Sequence, residues 1–266
     1  MAANKQTAIS VLGFEARKIS VSYGKRRILS DVSFICKPGL TALLGKNGAG
    51  KTTLMRALLG ALRTDGEVYL HTTDGVIPMK QLSARARAGV FSYAAQEPAK
   101  LTLSAFEFVL LGCAPFTGLF SLPDAAQKER VRELFAQAGM TAFLDRPYDT
   151  LSGGEKKTVG FLRALAQNAA WLLLDEPLAG LDLEKQHSFC EYFMHSADNY
   201  FISLHDPSLA MRYFDRILIL HNGHLLAQLD KNDPAFENNY LAALQILYGS
   251  RTAYADTPFG KTVVYQ

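Results

Sequence analysis

Gly45-Lys46-Asn47-Gly48-Ala49-Gly50-Lys51-Thr52 places three glycines ahead of a Lys-Thr pair. Glycines let successive backbone N–H groups converge on phosphate oxygens, and a helix starting there adds the positive end of its dipole. Lys51 is suited to neutralising the β- and γ-phosphates of a nucleotide, and the Thr52 hydroxyl to holding Mg²⁺. Asn47 and Thr53 belong to the same nucleotide-binding stretch, with Gly45, Gly48 and Gly50.

A second group is acidic. Trp171-Leu172-Leu173-Leu174 runs directly into Asp175-Glu176-Pro177. A continuous apolar run reads as a parallel strand buried on both faces, and ligands sit beyond the carboxyl ends of such strands. Asp175 suits a Mg²⁺ shell. Glu176 suits polarising an attacking water, a general-base role worth roughly 10²–10⁴-fold in rate. Acids in this place also cap helices, but the phosphate loop favours the chemical reading.

The third group is Leu151-Ser152-Gly153-Gly154-Glu155. Ser152 and Glu155 have the spacing of a capping box. That pairing leaves Gly153 and Gly154 unexplained, because each glycine in a helix costs ~1 kcal/mol relative to alanine. They make sense where a phosphate must approach the backbone closely. The chain therefore carries one more phosphate site than a single nucleotide needs.

The elements that must position these groups alternate between helix and strand. Residues 40–44 read as a buried strand before the glycine loop, and 52–62 as the helix after it. Ahead of them, 19–23 and 32–35 read as antiparallel strands. Asp65-Gly66 is a turn signal leading into a strand at 67–70. Residues 124–138 read as an amphipathic helix within a helical insertion, 97–150. Buried strands are expected at 172–174, 201–204 and 217–220, with Asn222-Gly223 turning into 224–229. The tail beyond Lys231 holds a helix near 240–248 and an apolar strand at 262–265.

Composition narrows the class. The chain has 266 residues, 48% hydrophobic and 20% charged, which allows one sizeable α/β domain with an insertion. A net charge of +3 with dispersed Lys and Arg gives no electrostatic case for a nucleic-acid partner. Three widely spaced cysteines suggest neither a disulfide framework nor a metal knuckle. No run approaches the ~20 apolar residues that span a bilayer, so service to a membrane needs a partner.

Taken in order, Gly45 to Thr52, Gln96, Leu151 to Glu155, Leu172 to Glu176, Leu181-Asp182 and His205 resemble the ABC-type ATPases. The likeness extends from about Phe14 to about Ala227. It implies an α/β fold with a RecA-like P-loop NTPase core, an N-terminal antiparallel β subdomain and an inserted α-helical subdomain. The boundaries follow as 8–230 for the ATPase domain, divided at 8–96, 97–150 and 151–230, with 231–266 as a C-terminal extension. In that family two ATPase domains pair head to tail, each ATP lying between one domain's phosphate loop and the other's Leu-Ser-Gly-Gly-Glu. Ser152, Gly153 and Gly154 would then serve the partner's nucleotide, which accounts for the surplus site. The resemblance further implies that Tyr23 stacks on adenine and Gln96 links the Mg²⁺ site to the helical insertion. It also implies that Asp182 touches the opposite protomer and His205 contacts the γ-phosphate. The chain departs from the family at Lys156, Lys157 and Thr158, where an Arg/Gln-rich stretch is common.

Within the family, Val109-Leu110-Leu111-Gly112, Pro115, Asp145-Arg146-Pro147, His205-Asp206 and Leu247-Tyr248-Gly249 resemble importer ATPases serving iron–siderophore, haem or cobalamin permeases. The implied partners are a second ATPase subunit, with both half-sites present for a homodimer, an integral membrane permease and, indirectly, a substrate-binding protein. The implied location is the cytoplasmic face of the cell membrane, held there by the permease. Residues 116–120 are expected to help form the groove for a permease helix. An exporter ATPase or a non-transport ABC protein is the alternative.

Overall fold

The computed structural model describes residues 10–95, 102–117, 122–195, 199–258 and 260–265. In chain order it contains β1 (Val11–Tyr23), β2 (Arg26–Cys36), β3 (Leu40–Leu44), α1 (Lys51–Leu58), β4 (Asp65–Thr72), β5 (Gly75–Pro78) and α2 (Ala84–Val90). Then follow β6 (Phe91–Ala94), α3 (Ala105–Leu110), α4 (Ala125–Gln137), α5 (Gly153–Ala166), β7 (Trp171–Leu174) and α6 (Leu183–His195). The chain closes with β8 (Asn199–Leu204), α7 (Pro207–Tyr213), β9 (Arg216–His221), β10 (His224–Asp230), α8 (Phe236–Tyr248), β11 (Thr252–Thr257) and β12 (Gly260–Tyr265).

One sheet has the order β10-β9-β3-β8-β7-β6, parallel from β9 to β6 and closed at one edge by antiparallel β10. A second sheet, β2-β1-β4-β5, is antiparallel throughout. The interior strands are buried almost throughout: every residue of β3, Thr41 included, and of β7 is buried. Their side chains divide by period 2. Leu43, Leu173, Phe201 and Leu218 face a core shared with the antiparallel sheet and α1, where Phe14 meets Phe91 and Trp171 edge-on at 5.1 and 4.9 Å. Leu44, Leu174, Ile202 and Ile219 face a second core shared with the helices and the C-terminal residues.

The helical layer consists of α3 and α4 packed on α5. A 3₁₀ segment, Leu111–Phe116, crosses α5 so closely that a Cβ on Gly112 would lie 2.2 Å from the Arg163 carbonyl oxygen. Phe108 stacks on Tyr148 at 4.2 Å in the same layer. Thus α5, which lies beyond residue 150 in sequence, contributes to the packing of the insertion as well as to the core.

Strand order positions the chemistry. The loop after β3 carries the glycines, the turn after β7 carries Asp175 and Glu176, and β8 between them ends at Leu204, next to His205. Three neighbouring parallel strands thereby deliver the groups to one edge.

Several local expectations need correction. The helix after the phosphate loop stops at Leu58, short of residue 62, where the chain turns through Leu59-Gly60. Asp65-Gly66 opens β4 instead of forming a turn before it. A Cβ on Gly66 would lie 2.2 Å from the Lys18 carbonyl oxygen, so glycine serves a close strand approach there. The two short N-terminal strands are parts of the longer β1 and β2. In the tail, the helix begins at Phe236, and the last strand pairs with β11, whose Thr-Ala-Tyr-Ala-Asp-Thr sequence has no apolar run to mark it.

Candidate functional site

The phosphate loop leaves β3 and enters α1 through Gly50, whose φ of 106° is left-handed. A Cβ there would also lie 2.7 Å from Leu29 Cδ2, so both backbone and packing exclude a side chain. Asn47 and Gly48 are exposed at the loop tip, whereas Thr52 and Thr53 are half-buried in the first turn of α1. The loop amides and the start of α1 form a surface that favours anions.

Lys51 is buried, with a side-chain exposure of 5%. Its ammonium donates to the Gly45 carbonyl at 2.8 Å and lies 3.4 Å from Glu176 Oε1. Burial pulls its pKa below the usual lysine value, opposed by the nearby Glu176 and Asp175 carboxylates. A buried cation aimed into a glycine cradle attracts phosphate strongly, because little solvent screens it.

Glu176 adopts a positive φ of 50°, unusual for a residue with a side chain. Its Oε1 also lies 2.5 Å from His205 Nε2, so one carboxylate oxygen connects Lys51 and His205. Ser203 fixes this turn. Its hydroxyl accepts from the Glu176 N–H at 2.8 Å and donates to Asp175 Oδ1 at 2.8 Å. Tyr93 donates to the other Asp175 oxygen at 3.1 Å, and the Asp175 N–H donates to Ala94 O at 3.0 Å. Burial, reinforced by the Asp175 charge, pushes the Tyr93 phenol up to about 12, so it remains a donor at neutral pH.

Asp175 and the Thr52 hydroxyl are hard oxygen donors, the type Mg²⁺ prefers. Among the described residues no group of three or more His, Cys, Asp or Glu side chains could hold a metal ion. A two-residue oxygen set suits an ion that keeps several waters and takes further ligands from substrate phosphates.

The Leu-Ser-Gly-Gly-Glu segment forms the start of α5. Ser152 Oγ accepts from the Glu155 N–H at 3.3 Å, and the Glu155 carboxylate accepts from the Ser152 N–H at 2.6 Å. The capping box is therefore present. Ser152 and Gly153 are exposed, and a Cβ on Gly153 would meet nothing within 4 Å. The fold itself does not require glycine at 153. Gly154 sits beside Leu181, and Asp182 caps α6 through the Lys185 N–H at 2.9 Å.

The structure thus joins Lys51, Glu176 and His205 directly and Asp175 to Glu176 through Ser203, while exposed Ser152, Gly153 and Asp182, with half-buried Gly154, form a second group. Lys157 of α5 connects the two, its ammonium donating to the Glu176 carbonyl at 3.4 Å and to the Ala179 carbonyl. Tyr23 ends β1, about half exposed at 49%. Gln96 and residues 118–121 lie outside the described residues.

Ser203 and Tyr93 are not among the residues expected from the sequence, and Lys157 is expected there only as a departure from the family pattern, not as a link to Glu176. Ser203 had a signal, being the polar residue inside the apolar end of β8. Lys157 had one as well, as a departure from the Arg/Gln-rich stretch. Tyr93 reads from sequence as an ordinary strand residue.

The chain is similar to known proteins over most of its length. Residues 29–179 match the ABC transporter family. The hemin import ATP-binding protein HmuV of Bordetella pertussis is 36% identical over 228 residues, covering 80% of this chain and 84% of that protein. HmuV of Burkholderia pseudomallei is 38% identical over 234 residues, covering 80% and 86%. Among solved structures, an ATP binding subunit of an ABC transporter superposes with a TM-score of 0.73 at 25% identity, over 89% of this chain and 98% of that one. With the family match spanning residues 29–179 and these relatives at 36% and 38% identity, the chain belongs to the ABC transporter family.

Proposed function

We propose that this chain is the ATP-hydrolysing subunit of an importer that moves haem or a related iron chelate through a separate membrane permease. The observation that carries the reading is the Lys51–Glu176–His205 cluster at the mouth of the glycine loop. Lys51 and the α1 N-terminus hold the β- and γ-phosphates. Glu176 takes a proton from the attacking water as its oxygen bonds to the γ-phosphorus and the bond to the ADP oxygen breaks. His205, bonded to the same carboxylate, contacts the γ-phosphate. Asp175, held by Ser203 and Tyr93, and Thr52 would bind Mg²⁺, which neutralises charge on the phosphate oxygens when bound. Ser152, Gly153 and Gly154 would cover the triphosphate bound by a second copy, with Asp182 at the same boundary. Tyr23 would stack on adenine.

The cargo assignment rests on the hemin import named for the two relatives and on the subgroup motifs. Among the described residues no helix is long and apolar enough to cross a membrane. The permease would be a separate chain, with this subunit at its cytoplasmic face. The ATPase domain would span 8–230, divided at 8–96, 97–150 and 151–230, with 231–266 as a C-terminal extension.

The test is ATP turnover and haemin uptake by the chain co-expressed with its permease, compared with Glu176→Gln. Turnover should fall about 10²–10⁴-fold, and uptake should fall with it while ATP binding persists. Wild-type turnover in Glu176→Gln would remove Glu176 as the base. Normal turnover without haemin or iron-chelate uptake would remove the cargo assignment.

A further inference from the structure

The segment that follows β8 carries His205, and the C-terminal residues bond to it at three successive points. The Tyr248 hydroxyl, on α8, donates to the His205 carbonyl at 3.4 Å. Buried Tyr240, two turns earlier on α8, donates to the Pro207 carbonyl at 2.8 Å. Ser208 Oγ accepts from the Val263 N–H at 3.0 Å and from the Thr262 hydroxyl at 2.9 Å, both on β12. The intervening Asp206 caps α7, accepting from the N–H groups of Ser208 and Leu209 at 2.7 and 3.1 Å.

The same tyrosine reaches the phosphate loop. Lys46 Nζ lies 5.6 Å from the Tyr248 ring centroid, and Tyr265 of β12 meets that ring edge-on at 5.4 Å. The C-terminal unit is anchored in turn: Phe236, Tyr240, Leu244 and Leu247 are buried in the larger core. A loop held from a packed helix and a hairpin has fewer conformations to lose when it engages a phosphate.

We infer that the C-terminal unit of α8, β11 and β12 positions His205 for catalysis, with Tyr248 acting through the histidine's own carbonyl and Tyr240 through the Pro207 carbonyl two residues on. This rests on the reading of His205 as the γ-phosphate contact. Burial raises both tyrosine pKa values, so each hydroxyl stays a donor at neutral pH.

The experiment measures ATP hydrolysis by the full chain, in steady state and in single turnover to capture slow rates. Tyr240→Phe and Tyr248→Phe keep the ring and delete only the hydroxyl. Each should lower kcat roughly 2- to 10-fold, the range of one hydrogen bond, with KM for ATP unchanged. In a His205→Ala background the same substitutions should change the rate no further. Tyr254→Phe deletes a hydroxyl bonded within the unit, to the Glu237 carbonyl at 2.7 Å, and should leave kcat as in the wild type. Unchanged kcat in Tyr240→Phe and Tyr248→Phe, or an equal loss with and without His205, would overturn the inference while leaving His205 in place. Wild-type turnover by His205→Ala would overturn it by removing the role of His205 itself.

Discussion

Ser203 holds two groups that would otherwise be costly. Glu176 has a positive φ, and its N–H has a 2.8 Å acceptor because the Ser203 hydroxyl sits beneath it, donating onward to Asp175. Ser203→Ala removes both bonds inside a fully buried site. Losing a partner for a buried polar group costs about 1–3 kcal/mol. The variant should therefore lose about that much unfolding free energy in denaturant titration and hydrolyse ATP more slowly, since Asp175 and Glu176 both lose their register. Unaltered stability and turnover would show that Ser203 only fills space. Lys51, Asp175 and Glu176 were legible in the sequence because glycines before a Lys-Thr pair and acids ending an apolar run have little other explanation together. Tyr93 was not, and Ser203 showed only as a polar residue in an apolar strand, because a hydroxyl in a strand shows its partner only once β6, β7 and β8 lie side by side.

At the scale of elements, the start of α5 must be rigid and yet open. The capping box supplies rigidity: Glu155 accepts from the Ser152 N–H at 2.6 Å, and this bond holds its carboxyl below the usual value of 4.5. A lowered folded-state pKa contributes stability that is complete above 4.5 and disappears as pH falls through the folded value. Glu155→Ala should accordingly melt below the wild type at neutral pH, and the gap in Tm should narrow as the pH is taken below 4.5. A gap that stays constant with pH would separate Glu155 from the cap. Interior strands such as β3 and β7 were readable as apolar runs, since both faces are covered. β11 was not, because a half-exposed hairpin strand needs only its partner β12 and no apolar run. The long β1 was seen only in part, since bulges with positive φ at Lys18 and at Asp31 of β2 interrupt its alternation.

At the scale of the whole molecule, the chain presents the Lys51–Glu176–His205 cluster and, apart from it, an exposed helix start at Ser152-Gly153, and no packing among the described residues calls for glycine at 153. Two copies arranged head to tail would bring each loop against the other's Ser152. The three native cysteines, Cys36, Cys113 and Cys190, are buried, so engineered thiols at exposed Asn47 and Ser152 can be read without background. The most direct measurement is disulfide crosslinking of a chain carrying Asn47→Cys and Ser152→Cys together with Glu176→Gln to retain ATP. A covalent dimer that forms with ATP and Mg²⁺ and fades without them is the result expected of a shared triphosphate. Chains that bind ATP yet remain monomeric on a non-reducing gel would contradict it.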